Sequence, residues 1–180
     1  IGHMFANDPA LVSVNMSHTR FDELLRADYM FAGDKSLTDF TFNGQKFMDF
    51  ETDYSHETRL EHMFDGASSL SFLDLSALSK PYMQEVPPYT HVRSEDMFAG
   101  ATSLHTLVVP RDAYYWMANS GLPDVPAAGS LVPGSSQVVA SSRWVALNGS
   151  AKGSMYTSQQ LMDMGLRPEA TVYQWDMRDA

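Results

Sequence analysis

Cysteine is absent from this chain of 180 residues, which excludes a disulfide framework and any thiolate metal site. Its absence suits a reducing cytosol and equally a Gram-positive exterior, where disulfides are little used, so it does not choose a compartment. No apolar run approaches the length needed to cross a bilayer, so no membrane insertion by this segment is expected. Basic residues are scarce, with 12 lysines and arginines against 22 aspartates and glutamates and a net charge of −10. Residues 21–112 hold 16 of the acids and 7 of the cations. Such a surface repels phosphate backbones, and with no local basic patch to offset it the expected partners include no nucleic acid.

The usual signatures of chemistry are missing too. No phosphate-binding loop or dinucleotide fingerprint is present, and Gly149-Ser-Ala-Lys-Gly153 lacks the spacing of a nucleophile elbow. His56, Glu57, Glu61 and His62 form the densest group of metal-capable residues, but they do not make a His-Glu-x-x-His pattern. Asp49, Glu51 and Asp53 alternate as calcium ligands would, without the glycine and glutamate of a calcium loop. Asn15-Met-Ser17 and Asn148-Gly-Ser150 match a glycosylation acceptor by composition alone. The expectation is a protein with no cofactor, no metal and no catalytic residues.

What the chain does have is a phrase written three times, from Arg26 to Phe42, Arg59 to Leu75 and Arg93 to Val109. Six positions are identical in all three: Arg26/59/93, Met30/63/97, Phe31/64/98, Gly33/66/100, Ser36/69/103 and Leu37/70/104. The offsets of 33 and 34 residues fall in the range of stacked supersecondary units. The stretch ending in Met-Phe is compatible with a short helical turn, and the glycine two residues later sits where a chain often turns through a left-handed conformation. Leu-x-x-apolar-x-apolar then alternates as a strand buried on one face would. A degenerate fourth copy of that strand occurs at Leu11-Val-Ser-Val14-Asn-Met16. The pattern predicts four neighbouring parallel strands in one sheet, over 11–16, 37–42, 70–75 and 104–109.

The core Met-Phe-x-Gly-x-x-Ser-Leu-x-x-Leu-x-Leu resembles the repeat of the BspA-type leucine-rich family of bacterial surface proteins and mycoplasmal lipoproteins. The likeness covers roughly residues 26–110. It departs from the family between repeats, where 43–57 and 76–91 are irregular and carry Pro81, Pro87 and Pro88, and after the glycine, where an often-found cysteine is replaced by Asp34, Ala67 and Ala101. The resemblance implies an extracellular location at a bacterial cell surface and a role in adhesion.

The expected fold class is therefore α/β, a short leucine-rich-repeat-like solenoid with a parallel sheet and a small C-terminal strand-helix-strand cap. Residues 1–4 read as a tag remnant, 5–116 as the solenoid and 117–142, whose only charge is Asp124, as a linker or wrapping loop. In 143–180, Arg143–Leu147 and Thr171–Trp175 read as strands, and Thr157-Ser-Gln-Gln160 as a capping box opening a helix that stops at Gly165. This tail is similar to a segment that often follows such repeats in surface proteins of Gram-positive commensals.

Alternation assigns the outward positions of the stacked strands to rows. Ser13, Asp39, Phe72 and Thr106 form one, Asn15, Thr41, Asp74 and Val108 a second, and Ser17, Asn43, Ser76 and Pro110 a third. The candidate binding residues are accordingly Asp39, Thr41, Asn43, Phe72, Asp74, Ser76, Thr106 and Val108. Phe72, a large apolar side chain placed outside beside two carboxylates, suits a sugar ring or a basic peptide. The expected function is a noncatalytic binding module whose partner is a host or bacterial surface macromolecule, protein or glycan. The alternative is a structural spacer presenting another domain, and a hydrolase stays open because fold does not decide function.

Overall fold

The computed structural model describes residues 1–19, 26–41, 58–78 and 92–180. Within them the fold is mixed α/β, mostly strands with few helices, and its sheets are open. The strands are β1 (Ser13–Asn15), β2 (Asp39–Thr41), β3 (Thr58–Arg59), β4 (Phe72–Asp74), β5 (Val92–Arg93), β6 (Thr106–Val109), β7 (Gln137–Ala146), β8 (Met155–Tyr156) and β9 (Thr171–Asp179). Two short helices, α1 (Tyr114–Met117) and α2 (Ser158–Met162), and a 3-10 turn at Ser76–Leu78 complete the set.

Each copy of the Met-Phe-x-Gly phrase lies on the next as a rung. Tyr29 N–H donates to Glu61 O at 2.9 Å, Phe31 N–H to Met63 O at 2.9 Å and Gly33 N–H to Asp65 O at 2.7 Å. One rung on, His62, Phe64 and Gly66 donate to Glu95, Met97 and Ala99 in the same way. The expected helical turn does not form. Tyr29, His62 and Asp96, one residue before each methionine, all have positive φ, between 53° and 55°. A left-handed residue interrupts a helix, and here it turns its N–H toward the neighbouring rung instead of back along its own. Such a conformation costs about 1–3 kcal/mol in a non-glycine residue. Burying the adjacent methionine and phenylalanine, each worth roughly 1.5–3 kcal/mol, offsets it, and Met30, Phe31, Met63, Phe64, Met97 and Phe98 are all fully buried. The phenylalanine rings form a stacked column from Phe5 through Phe31 and Phe64 to Phe98, at centroid distances of 5.4, 5.5 and 6.3 Å.

The column starts before the three full copies, at Met4-Phe5-Ala-Asn7, where asparagine stands for the glycine. His3 and Asn7 also have positive φ, at 61° and 62°, and His3, Phe5 and Asn7 donate to Asp28, Met30 and Ala32. Residues 1–4, read as a tag remnant, are thus folded into the first rung, with His3 stacked 4.7 Å from Tyr29. At the other end the N–H groups of Asp96 and Phe98 reach Asn119 O and Ser120 O, so residues 119–120 close the last rung.

Among the described residues the four repeat strands do not form one sheet. β1 pairs in parallel with β2, and β4 in parallel with β6, but these pairs belong to different sheets although β2 lies alongside β4. The second pair is extended by the C-terminal segment into a five-stranded mixed sheet of order β4-β6-β9-β7-β8. Phe42, the last residue of the expected second strand, lies outside the described residues, as do the links between rungs.

The C-terminal half also differs from its reading. Residues 137–142, assigned to a linker, are the first six residues of the ten-residue β7, where Val138 and Val139 pair with Arg178 and Met177 of β9. Leu122, Val125 and Val132 of the same stretch are buried. The tail runs strand, short strand, helix, strand. Thr157 caps α2 through the expected reciprocal box with Gln160, but the helix ends at Met162 with Asp163 as C-cap, before Gly165. Arg167 is buried beneath α2, where its guanidinium donates to Leu161 O at 2.9 Å and to the Tyr173 hydroxyl at 3.3 Å.

Candidate functional site

Short strands dictate what the sheet presents. β2 and β4 each read exposed-buried-exposed, with Phe40 and Leu73 turned into the core and Asp39, Thr41, Phe72 and Asp74 turned to solvent. The registers set Ser13 opposite Asp39, Asn15 opposite Thr41, Phe72 opposite Thr106 and Asp74 opposite Val108. Phe72 keeps 43% of its surface exposed, an unusual position for a phenyl ring that a one-residue shift would have buried.

Not every candidate shares that exposure. Ser76 is exposed at the start of the 3-10 turn, while Val108 is half-buried. Thr106 is buried, because β9 covers the edge of β6 and sets Gln174 directly against it. Its hydroxyl receives the Gln174 amide at 3.2 Å and lies 2.9 Å from His105 Nδ1. Thr106 is therefore withdrawn from the accessible face. Asn43 lies outside the described residues. Two polar positions have local work as well. Asp74 accepts the N–H of Ser76 at 2.9 Å and Asn15 accepts that of Ser17 at 2.9 Å, so both close the end of their strand with the same Asx-type turn. Asn148, the other acceptor-like asparagine, receives Val172 N–H at 2.7 Å and donates to Ala170 O.

A second surface feature went unread in the sequence. Each repeat arginine is followed two residues later by an acid, as Arg26-x-Asp28, Arg59-x-Glu61 and Arg93-x-Glu95. Backbone pairing sets Arg26 beside Arg59 and Arg59 beside Arg93, so the three arginines hold equivalent places on successive rungs. The acids interleave with them. Arg26 Nε lies 3.2 Å from Asp28, and Arg93 Nε lies 2.9 Å from Glu61 in the neighbouring rung. Burial pushes the Asp28 carboxyl up, but the hydrogen bond and charge of Arg26 outweigh it and hold the group below the usual range. The Arg93–Glu61 pair ties one rung to the next.

His62 Nδ1 lies 2.9 Å from Asp65 while its ring stacks on Tyr29 at 4.5 Å. His56, Glu57, Asp49, Glu51 and Asp53 lie outside the described residues. No group of three or more histidines and carboxylates suited to a metal ion occurs among the described residues. No helix among them is long and apolar enough to cross a membrane. Comparison with protein-family models, curated proteins and solved structures returns no match.

Proposed function

We propose that the stacked rungs are the coils of a short leucine-rich-repeat-like solenoid of the BspA type, and that the chain is a noncatalytic extracellular binding or adhesion module of a bacterial surface protein. The observation that carries this reading is Phe72, a half-exposed aromatic ring that turns outward with Asp74 on β4, alongside the strand β2 that turns Asp39 outward. An exposed ring costs hydration free energy that a partner recovers, and its flanking acids give that partner a direction. The spacer alternative rested on a linker-like 117–142, and that stretch buries Leu122, Val125, Val132 and Val139.

A glycan array and a panel of extracellular-matrix proteins identify the partner. Phe72→Ala combined with Asp74→Asn is then expected to weaken that interaction by about 2 kcal/mol, the scale of an interface anchor. The melting temperature should stay nearly unchanged, because Asn keeps the strand-end turn as Asn15 does. Undiminished binding by the double variant sinks the site.

A further inference from the structure

The outward face does not stop where the repeats end. Strand pairing carries its first row from Phe72 and Thr106 on to Gln174 of β9, Val145 of β7 and Met155 of β8. The second row passes from Asp74 and Val108 to Val172 of β9, and Leu147, which donates its N–H to Val172 O at 2.8 Å, extends it. Residues paired across neighbouring strands share a face. Met155 is 50% exposed and Leu147 40%. Val108, Val145 and Val172 are half-buried, while their sequence neighbours Leu107, Trp144, Ala146 and Tyr173 fill the core on the opposite side. From Phe72 to Met155 the face crosses four strand spacings, about 19 Å, and its apolar band runs through Val108, Val172 and Leu147 beside the mutually bonded pair Thr106 and Gln174.

Two halves of unlike chemistry thus adjoin at Phe72. On the β1–β2 side the rows are polar and acidic, with Ser13, Asn15, Asp39 and Thr41, Asp74 shares β4 with Phe72, and on the β9–β7–β8 side Val172, Leu147, Val145 and Met155 are apolar, with Gln174 the polar member, held to Thr106. Neither row contains a lysine or an arginine.

We infer that this face docks a polypeptide segment of another protein, with basic side chains over Asp39 and Asp74 and apolar side chains along Phe72, Val172, Leu147 and Met155. The inference rests on the reading of the face as a binding surface and adds the C-terminal half to it. Charge complementarity selects the basic end. The length of the band selects the apolar part, since about six extended residues at roughly 3.3 Å each span it. Scattered exposed side chains need no partner, but a register-aligned band beside acids is the composition of an interface with a polar rim.

The test uses the full chain and two fluorescein-labelled synthetic peptides. One has two arginines at one end and alternating leucine and serine along the rest, and the other replaces the arginines with glutamates. Fluorescence anisotropy should show the arginine peptide binding with an affinity that falls as salt rises, and the glutamate peptide binding at least about tenfold more weakly. Leu147→Asp with Met155→Glu should weaken the arginine peptide by roughly tenfold or more. Asp39→Asn with Asp74→Asn should remove most of the salt dependence. If the first pair lowers the melting temperature, Leu147→Ser with Met155→Thr takes its place. Unchanged binding by the Leu147/Met155 variants, while Phe72→Ala with Asp74→Asn still loses the partner found by screening, overturns this inference and leaves the repeat-face reading standing. Equal binding of both peptides, or none of the arginine peptide, overturns the choice of a basic partner. Self-association of the chain that the Leu147/Met155 substitutions abolish overturns it in favour of a second copy.

Discussion

Asp34 Oδ1 accepts the backbone N–H of Asp8 at 2.8 Å, joining the second rung to the first, while Oδ2 of the same fully buried carboxyl has no hydrogen-bond partner among the described residues. The equivalent positions in the next two rungs are the buried alanines Ala67 and Ala101. Asp34 thus puts an ionisable group where the repeat elsewhere has a methyl.

Burial raises the Asp34 carboxyl above its ordinary pKa, and the nearby Asp8 charge adds to the effect against the opposing backbone hydrogen bond. A carboxyl whose folded pKa exceeds its unfolded one is ionised at a cost to the fold. The contribution of Asp34 is therefore most favourable below the unfolded pKa and is lost as pH rises through the folded pKa. Asp34→Asn keeps an acceptor for Asp8 without the charge. It is expected to raise stability at neutral pH, because the amide carries no charge to be buried. Melting curves of both proteins should converge in acid, and an equal gap at every pH would remove Asp34 from this role.

The glycine column makes a graded prediction. Gly66 and Gly100 have φ of 73° and 72°, so a side chain at either is strained. A Cβ at Gly66 would meet Gly33 at an ordinary 3.7 Å, whereas at Gly100 it would meet the Gly66 backbone at 3.1 Å. Both alanine variants should lose about 1–2 kcal/mol from backbone strain, with Gly100→Ala the worse of the two. Chemical denaturation ranks them, and the reverse order would mean that the rungs separate easily at that point.

Truncation after Asn119 removes Ser120, which accepts Phe98 N–H, and all of β9, which pairs with β6. The edge left at β6 carries Leu107 and Val109, both fully buried in the intact chain. The shortened chain is expected to melt at lower temperature and to aggregate, because an open apolar strand edge templates pairing with other chains. Light scattering on heating measures this. A monodisperse and equally stable product would make the C-terminal half an independent unit.

The sequence by itself determined the local geometry of the rungs. Met-Phe-x-Gly repeated at offsets of 33 and 34 residues specified equivalent corners, the glycines marked left-handed backbone, and alternation specified that Leu73 turns in while Phe72 turns out. The capping box at Thr157 and Gln160 was equally legible, since it involves residues within one turn of chain. Other features were settled only by distant partners. Tyr29, His62 and Asp96 look like ordinary helix positions, and they turn left-handed because the N–H of each finds its acceptor in another part of the chain. His3-Met4-Phe5-Ala-Asn7 repeats the phrase with asparagine in place of the glycine and Leu11 at the same spacing, a copy hidden by the reading of residues 1–4 as a tag remnant, and the bonds donated to Asp28, Met30 and Ala32 make it a rung. Thr106 alternates outward as predicted, but its burial and the apolar extension through Val172, Leu147 and Met155 depend on β9 crossing the chain to lie against β6. Period and turn chemistry act over a few residues and leave a trace in the sequence. Strand pairing is chosen by which buried faces fit together, and it appears only once the chain has folded.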